Sequence, residues 1–230
     1  MKRYKTYIVL SLMMIPFFVK SQDQRESQKS NHNFALDLGY GYRLSSKPNE
    51  LFTTQTTYPD YYSTLRSGIE IDFNYDYLFR ENIGLGFKAS AFNSSNTLAG
   101  QDTLGLKDDE YIFYFGPTIK YSINEVFKKA SIYARATVGY MSFRNSSIIK
   151  GINTSNKVVG LNAIFRGQTI GLGLDLGLDY KINDYLSVGC NTGVLGGNLN
   201  KLKILDSEKR LEQSESLYRL NLTIGVRIKL

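Results

Sequence analysis

Several residue types that carry common chemistry are nearly absent from this chain of 230 residues. Its single cysteine, Cys190, excludes an internal disulfide and any metal site built from several cysteines. Its single histidine, His32, leaves one candidate for a histidine general base. After the N-terminal segment, no apolar run is long enough for a membrane-spanning helix, so any membrane insertion has to use β-strands. We predict no cofactor and no metal site.

The chain also has little excess charge once its N-terminal segment is set aside. The formal net charge is +7, from 28 basic and 21 acidic residues. Residues 1–21 hold four of the bases and no acid, so the remainder has 24 bases against 21 acids, or +3. That balance provides no electrostatic footprint for nucleic acid, which we exclude as a partner.

Residues 1–21 have the features of a secretory signal peptide. Basic residues precede a mostly apolar run over 8–19, which is too short to span a membrane, and cleavage is predicted near Ser21-Gln22. No cysteine follows this run, which argues against a lipoprotein anchor; a retained N-terminal anchor is the alternative. The polar, patternless residues 22–32 are predicted to form a periplasmic leader.

The strongest pattern in the chain is alternation of large apolar residues with glycine or polar residues. Residues 170–180 show it most clearly, with an apolar side chain at every even position and only Gly or Asp between them. A period of two indicates a β-strand with one apolar face. Eight segments follow the pattern: 34–44, 66–78, 83–92, 111–121, 131–143, 170–180 with an upstream extension into 164–169 left open, 186–194 and 217–230.

The connections between these segments alternate in length. Short ones are predicted near 79–82, 122–130 and 181–185, and long ones near 45–65, 93–110, 144–163 and 195–216. Short periplasmic turns and long extracellular loops are typical of outer-membrane barrels. We therefore predict an all-β domain over 33–230, an eight-stranded antiparallel up-and-down transmembrane β-barrel.

A secreted, lipocalin-like barrel with its apolar face inside is the competing interpretation. The apolar faces hold around forty mostly bulky side chains, too many for the interior of an eight-stranded barrel. The opposite faces are rich in glycine, which relieves crowding in a narrow lumen. An eleven-residue strand spans roughly 36 Å, or about 28 Å along the membrane normal, which matches the hydrocarbon thickness. We therefore favour the membrane barrel.

The short turns and the last strand carry a resemblance to a known family. Tyr121-Ser-Ile-Asn-Glu and Tyr180-Lys-Ile-Asn-Asp share one form, and the last strand ends at Leu230, the final residue. With the export signal and the glycine-rich strands, the chain resembles the small outer-membrane β-barrel family of Bacteroidetes-type bacteria. The resemblance covers 33–230 and implies the architecture of OmpA- and OmpX-type barrels. Most members have no assigned activity, so no site carries over. Many outer-membrane proteins end in Phe where this chain has Leu230.

Charged residues on the inward face are the most concrete site candidates. Inside a narrow lumen they have to be paired or hydrated, so we predict an ion-pair network with a structural or gating role. Asp37 and Arg227 are expected to approach across the seam between the first and last strands, and Asp175 and Asp179 to face bases such as Arg135. The predicted network comprises Asp37, Glu70, Asp72, Asp76, Lys88, Lys120, Arg135, Asp175, Asp179, Arg219 and Arg227.

Three other groups are weaker candidates. Aromatic residues of the first long loop either form a binding face or pack over the barrel mouth: Phe52, Tyr58, Tyr61 and Tyr62. The acidic run 108–110, interpreted as a solvated loop, matches no cation-binding spacing. Basic residues between 201 and 210 are either solvated or in contact with anionic lipopolysaccharide.

The sequence predicts where the protein acts better than what it does. We expect an integral protein of the cell outer membrane with a mostly plugged lumen and a structural or surface-interaction role. A narrow channel or a route for small hydrophobic molecules is the first alternative, and a subunit of an envelope secretion or assembly complex is the second. The expected partners are the lipid bilayer, lipopolysaccharide or an envelope protein. We expect no enzyme, because the acyltransferases, deacylases and proteases among outer-membrane barrels commonly use a histidine base, and His32 lies in the leader.

Overall fold

The computed structural model describes residues 31–44, 63–99, 105–127, 129–152, 158–204 and 207–230. The predicted signal peptide, most of the leader and all four aromatic residues of the first loop (Phe52, Tyr58, Tyr61 and Tyr62) lie outside the described residues. None of the helical structure described is long and apolar enough to cross a membrane.

The described part of the chain is built almost entirely of strands. Ten strands follow one another: β1 (His32–Arg43), β2 (Ser67–Leu78), β3 (Ile83–Ala99), β4 (Gly105–Phe127), β5 (Ala130–Ile152), β6 (Val158–Lys181), β7 (Leu186–Gly196), β8 (Asn198–Ile204), β9 (Ser207–Ser216) and β10 (Arg219–Lys229). Strand β1 therefore begins at His32, the last residue of the segment predicted as leader.

Eight of these strands close into a ring. Strands β1 to β7 pair antiparallel in chain order up to the β6–β7 pair, β10 pairs with β7, and β1 closes the ring against β10. The predicted eight-stranded antiparallel barrel is confirmed. Strands β8 and β9 continue the β7–β10 pair beyond Gly196: Asn198 pairs with Ser216 in the register that pairs Leu195 with Arg219, and β8 stays beside β6 at Phe165 and Arg166.

The barrel has its apolar side chains outside and its polar side chains inside. Leu36 and Leu38 on β1 are 56% and 57% exposed, whereas Asp37 between them is 1% exposed. The same contrast separates Leu174 from Asp175 on β6. This is the reverse of a soluble barrel, so the lipocalin-like alternative is wrong.

Three segments predicted as long loops, 93–110, 144–163 and 195–216, are largely strand. Strands β3 and β4 stay paired to Ala99 and Gly105, and β5 and β6 stay paired to Ile152 and Val158. Beyond the apolar belt most of the outward side chains are polar, so the hydrophobic alternation ends although the backbone pairing continues. We call this end of the barrel the extended end and the opposite one the short-turn end.

Glycines on the strands serve two kinds of close approach. At Gly177 the ring of Tyr133, its partner on β5, lies where a Cβ would stand, which fits the predicted crowding of the lumen. At Gly225 a Cβ would instead meet the backbone oxygen of Leu36 on the neighbouring strand. Lumen width therefore explains only some of the glycines, and close strand-to-strand approach explains others.

Candidate functional site

The structure places all eleven residues of the predicted network inside the barrel. Ten have residue exposures of 4% or less, and the side chain of Asp179 is 13% exposed. They are not one continuous cluster, because each cation contacts particular carboxylates on other strands, some on a neighbouring strand and some across the lumen. The contacts divide into groups stacked along the barrel.

The seam between β1 and β10 is joined by Arg227. Its guanidinium contacts the Asp37 carboxylate at 2.6 Å and the Asp179 carboxylate at 2.7 Å. One side chain thus connects β10 to β1 and to β6. The contact between Arg227 and Asp37 is the one predicted from their positions in the last and first strands.

Two further groups occupy the lumen, one around Asp76 near the short-turn end and one around Lys88. Arg135 lies 2.8 Å and Lys120 lies 3.3 Å from the same oxygen of Asp76. Lys88 lies between Asp72, at 3.0 Å, and Asp175, at 2.9 Å. Each cation pairs with a carboxylate carried by another strand.

Arg135 does not form the ion pair with Asp175 that the sequence suggested. The two residues are direct neighbours in the β5–β6 register, yet the guanidinium of Arg135 reaches across to Asp76 on β2. Lys88 takes the Asp175 carboxylate with hydrogen bonds of 2.9 and 3.1 Å. In a narrow lumen, long side chains can form ion pairs with residues that are not their register partners on the neighbouring strand.

The next group toward the extended end is a fully buried fork between Arg219 and Glu70. Arg219 donates from Nε to Oε2 at 2.7 Å and from Nη2 to Oε1 at 2.8 Å, and both residues have 0% exposure. Ser90 donates to the same carboxylate at 2.7 Å. Bidentate geometry of this kind is among the strongest charge-assisted contacts in proteins.

Above this fork, the lumen is filled by an apolar plug that the sequence did not predict. Gly197 joins β7 to β8, and the inward leucine side chains of β8 lie against Gly167 of β6. The plug consists of Phe92, Ile112, Tyr114, Met141, Phe143, Leu195, Leu199, Leu202 and Leu217.

The sequence held one signal for this plug. Ile112 and Tyr114 on β4, and Met141 and Phe143 on β5, are large apolar residues at inward positions. The leucines of the hairpin lie in a segment predicted as a loop, and their inward direction follows from the pairing of β8 with β6 and β9.

Arg43 connects the hairpin to the barrel wall. Its guanidinium lies 2.6 Å from Glu110 on β4 and 2.7 Å from Glu215 on β9, and it donates to the backbone oxygen of Ser216 at 2.8 Å. Arg43 is 6% exposed. One buried cation therefore holds the plug hairpin against two strands of the ring.

The acidic run 108–110 lies in β4 and not in a solvated loop. Strand alternation turns Asp108 and Glu110 inward and Asp109 outward, so the three carboxylates do not converge. A hydrogen bond from Ser95 at 2.6 Å, helped by Lys107, lowers the pKa of Asp109 below its ordinary value. Within the described residues, no cluster of three or more His, Cys, Asp or Glu side chains suits a metal ion.

The remaining single candidates lie outside the lumen. His32 shares a hydrogen bond of 2.9 Å with the Tyr75 hydroxyl at the start of β1. Cys190 is exposed on the apolar outer surface. In the turn after β6, a hydrogen bond from Lys181 lowers the pKa of Asp184.

Twenty buried side-chain nitrogen and oxygen atoms lack a hydrogen-bond partner in the described part of the protein. Both side-chain polar atoms of Asn191 and of Asn221, and the hydroxyl of Thr223, belong to this set. They lie on β7 and β10, where their register partners include Gly39, Gly41 and other glycines. Such groups favour hydration of this part of the lumen.

No protein-family model and no curated protein matches the chain. Among solved structures, it is similar to Neisserial surface protein A, with 14% identity over 87% of this chain and 98% of that chain and a TM-score of 0.47. It is also similar to outer membrane protein OprG from Pseudomonas aeruginosa (13% identity, 87% and 97% coverage, TM-score 0.48). A third is a major outer membrane protein from Thermus thermophilus (12% identity, 86% and 99% coverage, TM-score 0.49). At such identities, the role of this chain has to be argued from its own residues.

Proposed function

We propose that this protein is an integral barrel of the outer membrane whose lumen is closed to solutes, and that it acts structurally or through its outer surface. The observation that carries the proposal is that buried ion pairs, and an apolar plug above them, occupy the lumen. The exposed apolar belt supports the membrane location, because a surface of this kind is stable only against lipid. The short turns, the glycine-rich strands and the terminal strand support membership of the small Bacteroidetes-type barrel family.

Solute passage tests this proposal directly. We expect liposomes containing the purified full-length protein to swell in small sugars no faster than protein-free liposomes, while liposomes with an open porin swell rapidly. Deletion of 198–216 removes the plug hairpin. This variant shows whether the assay detects swelling once the plug hairpin is gone. Swelling above background by the wild-type protein would overturn the closed-lumen proposal.

A narrow water-filled or proton-linked channel is the alternative that one observation favours. Asn191, Asn221 and Thr223 provide buried polar groups able to hydrate the lumen. If the wild-type protein conducts and Asn191→Leu with Asn221→Leu lowers the current, the channel alternative holds. Planar-bilayer recordings with the double variant and the wild type make this comparison.

A role in an envelope secretion or assembly complex stays a second alternative, as does contact with lipopolysaccharide or an envelope protein. Mild detergent extraction followed by affinity purification distinguishes the complex from a solitary barrel. A partner recovered in stoichiometric amount would favour the complex. The proposal assigns the chain no catalytic role.

A further inference from the structure

Three basic side chains form a row on the outward surface near the extended end. Arg144 on β5 is the direct register partner of Arg166 on β6, and Arg166 is the direct partner of Lys203 on β8. All three side chains are exposed. We call Arg144, Arg166 and Lys203 the basic row.

The basic row is electrostatically unfavourable by itself. Like charges directly opposite each other on neighbouring strands destabilise a sheet. None of the three forms a salt bridge with another described residue, and the nearby carboxylate of Asp109 is already held by Ser95 and Lys107. Among the described register partners, the only acid directly opposite the row is Glu208, the β9 partner of Lys203. A charge arrangement of this kind is stabilised by an anion from outside the protein.

The height of the row on the barrel indicates where that anion comes from. The belt of strongly exposed large apolar side chains ends at Tyr140 on β5 and Ile170 on β6, and Arg144 and Arg166 lie four residues further on. Beyond the row, the outward residues Ile148 and Ile164 are only partly exposed. At the usual tilt, four residues correspond to about 10 Å along the membrane normal. Tyr111, the last apolar residue of the β4 belt, is the register partner of Arg144. The row therefore lies just beyond the hydrocarbon edge, at the level of lipid headgroups.

We propose that the basic row binds the phosphorylated headgroup of an outer-leaflet lipid. Two guanidinium groups side by side suit the bidentate geometry that phosphate oxygens accept, and the lysine adds a third positive charge. The acyl chains of the same lipid would lie along the apolar belt directly below. The inference rests on the proposed outer-membrane location and deepens it by naming the lipid chemistry that the outer surface recognises.

The test compares phosphorylated and dephosphorylated lipid on matched variants of the full-length protein. The probe is bisphosphorylated lipid A, measured by native mass spectrometry of the protein in detergent micelles. The row variant combines Arg144→Gln, Arg166→Gln and Lys203→Gln. The control variant combines Arg80→Gln, Lys129→Gln and Lys181→Gln, three exposed bases at the short-turn end. We expect the wild type and the control variant to bind lipid A equally well. We expect the row variant to bind it at least about tenfold more weakly.

Three results would overturn the proposal. They are unchanged binding by the row variant, equal binding of dephosphorylated lipid A, and binding of inorganic phosphate alone with the affinity of the lipid. Heat-dependent gel mobility shows whether each variant is folded. The closed-lumen proposal is tested separately, by swelling of liposomes that contain the wild-type protein. Failure of headgroup binding is therefore distinguishable from failure of the closed-barrel proposal.

Discussion

At the scale of single residues, the feature that matters most is charge buried inside the barrel. Glu70 and Arg219 are fully buried, and their two-point contact leaves neither charge alone. Removing one member of a buried pair costs more than removing both, because a single remaining charge has lost its compensation. The pair therefore ties β2 to β10 across the lumen.

Glu70→Ala is expected to lower the free energy of unfolding by about 3–5 kcal/mol, because Arg219 then stays buried without its carboxylate. The double change Glu70→Met with Arg219→Met is expected to lose much less. Since the chain has no tryptophan, urea unfolding in micelles is best followed by heat-dependent gel mobility. A double variant as unstable as Glu70→Ala would contradict the ion-pair explanation.

Alternation in the sequence predicts the face of each charge but not its partner. Asp175 and Arg135 are both inward by parity, and both are found inside. Their pairing with Lys88 and Asp76 depends on the width of the closed lumen and on the reach of each side chain. The alternation of residues along the sequence contains neither the lumen width nor the reach of a side chain.

At the scale of secondary-structure elements, the β8–β9 hairpin is the feature that most changes the interpretation. The sequence predicted a long loop near 195–216, and the structure has a hairpin whose leucines pack in the apolar plug. Arg43 holds this hairpin through Glu215 and the backbone of Ser216. The hairpin is thus joined to β1 by one side chain as well as to β6 by its backbone.

Arg43→Gln is expected to speed amide hydrogen exchange in 207–216, because the ion pair with Glu215 is lost and local opening of the hairpin becomes easier. Exchange in β1 and β2 near the short-turn end is expected to stay unchanged. Hydrogen-exchange mass spectrometry measures both regions in one experiment. Lys107→Gln, which alters an exposed base, is the control. Equal exchange in the two variants would mean that Arg43 does not hold the hairpin.

At the scale of the whole molecule, the arrangement of long and short connections predicts an orientation in the membrane. Strands β3 to β6 extend together at one end, and tight turns such as 182–185 join strands at the other. Long connections facing outward and short turns facing the periplasm are typical of bacterial outer-membrane barrels. The extended end is therefore expected at the cell surface.

Cysteine labelling checks this orientation in a Cys190→Ser background. With a membrane-impermeant maleimide, Asn162→Cys at the extended end is expected to react on intact cells. Asn183→Cys, in the turn after β6, is expected to react only after the outer membrane is permeabilised. Labelling of Asn183→Cys on intact cells would show the opposite orientation.

The sequence by itself determined the strands, their number in the ring and the direction of each face. These follow from the period-two alternation, because one side chain in two meets lipid and the next meets the lumen. Only the tertiary structure decided what fills the lumen and what lies beyond the belt. The packing of the plug leucines, the partners of Arg43 and the alignment of Arg144 with Arg166 depend on strand register and on closure of the ring. Strand register and barrel closure bring together residues that are far apart in the chain. A local sequence pattern contains no information on which of these residues are in contact.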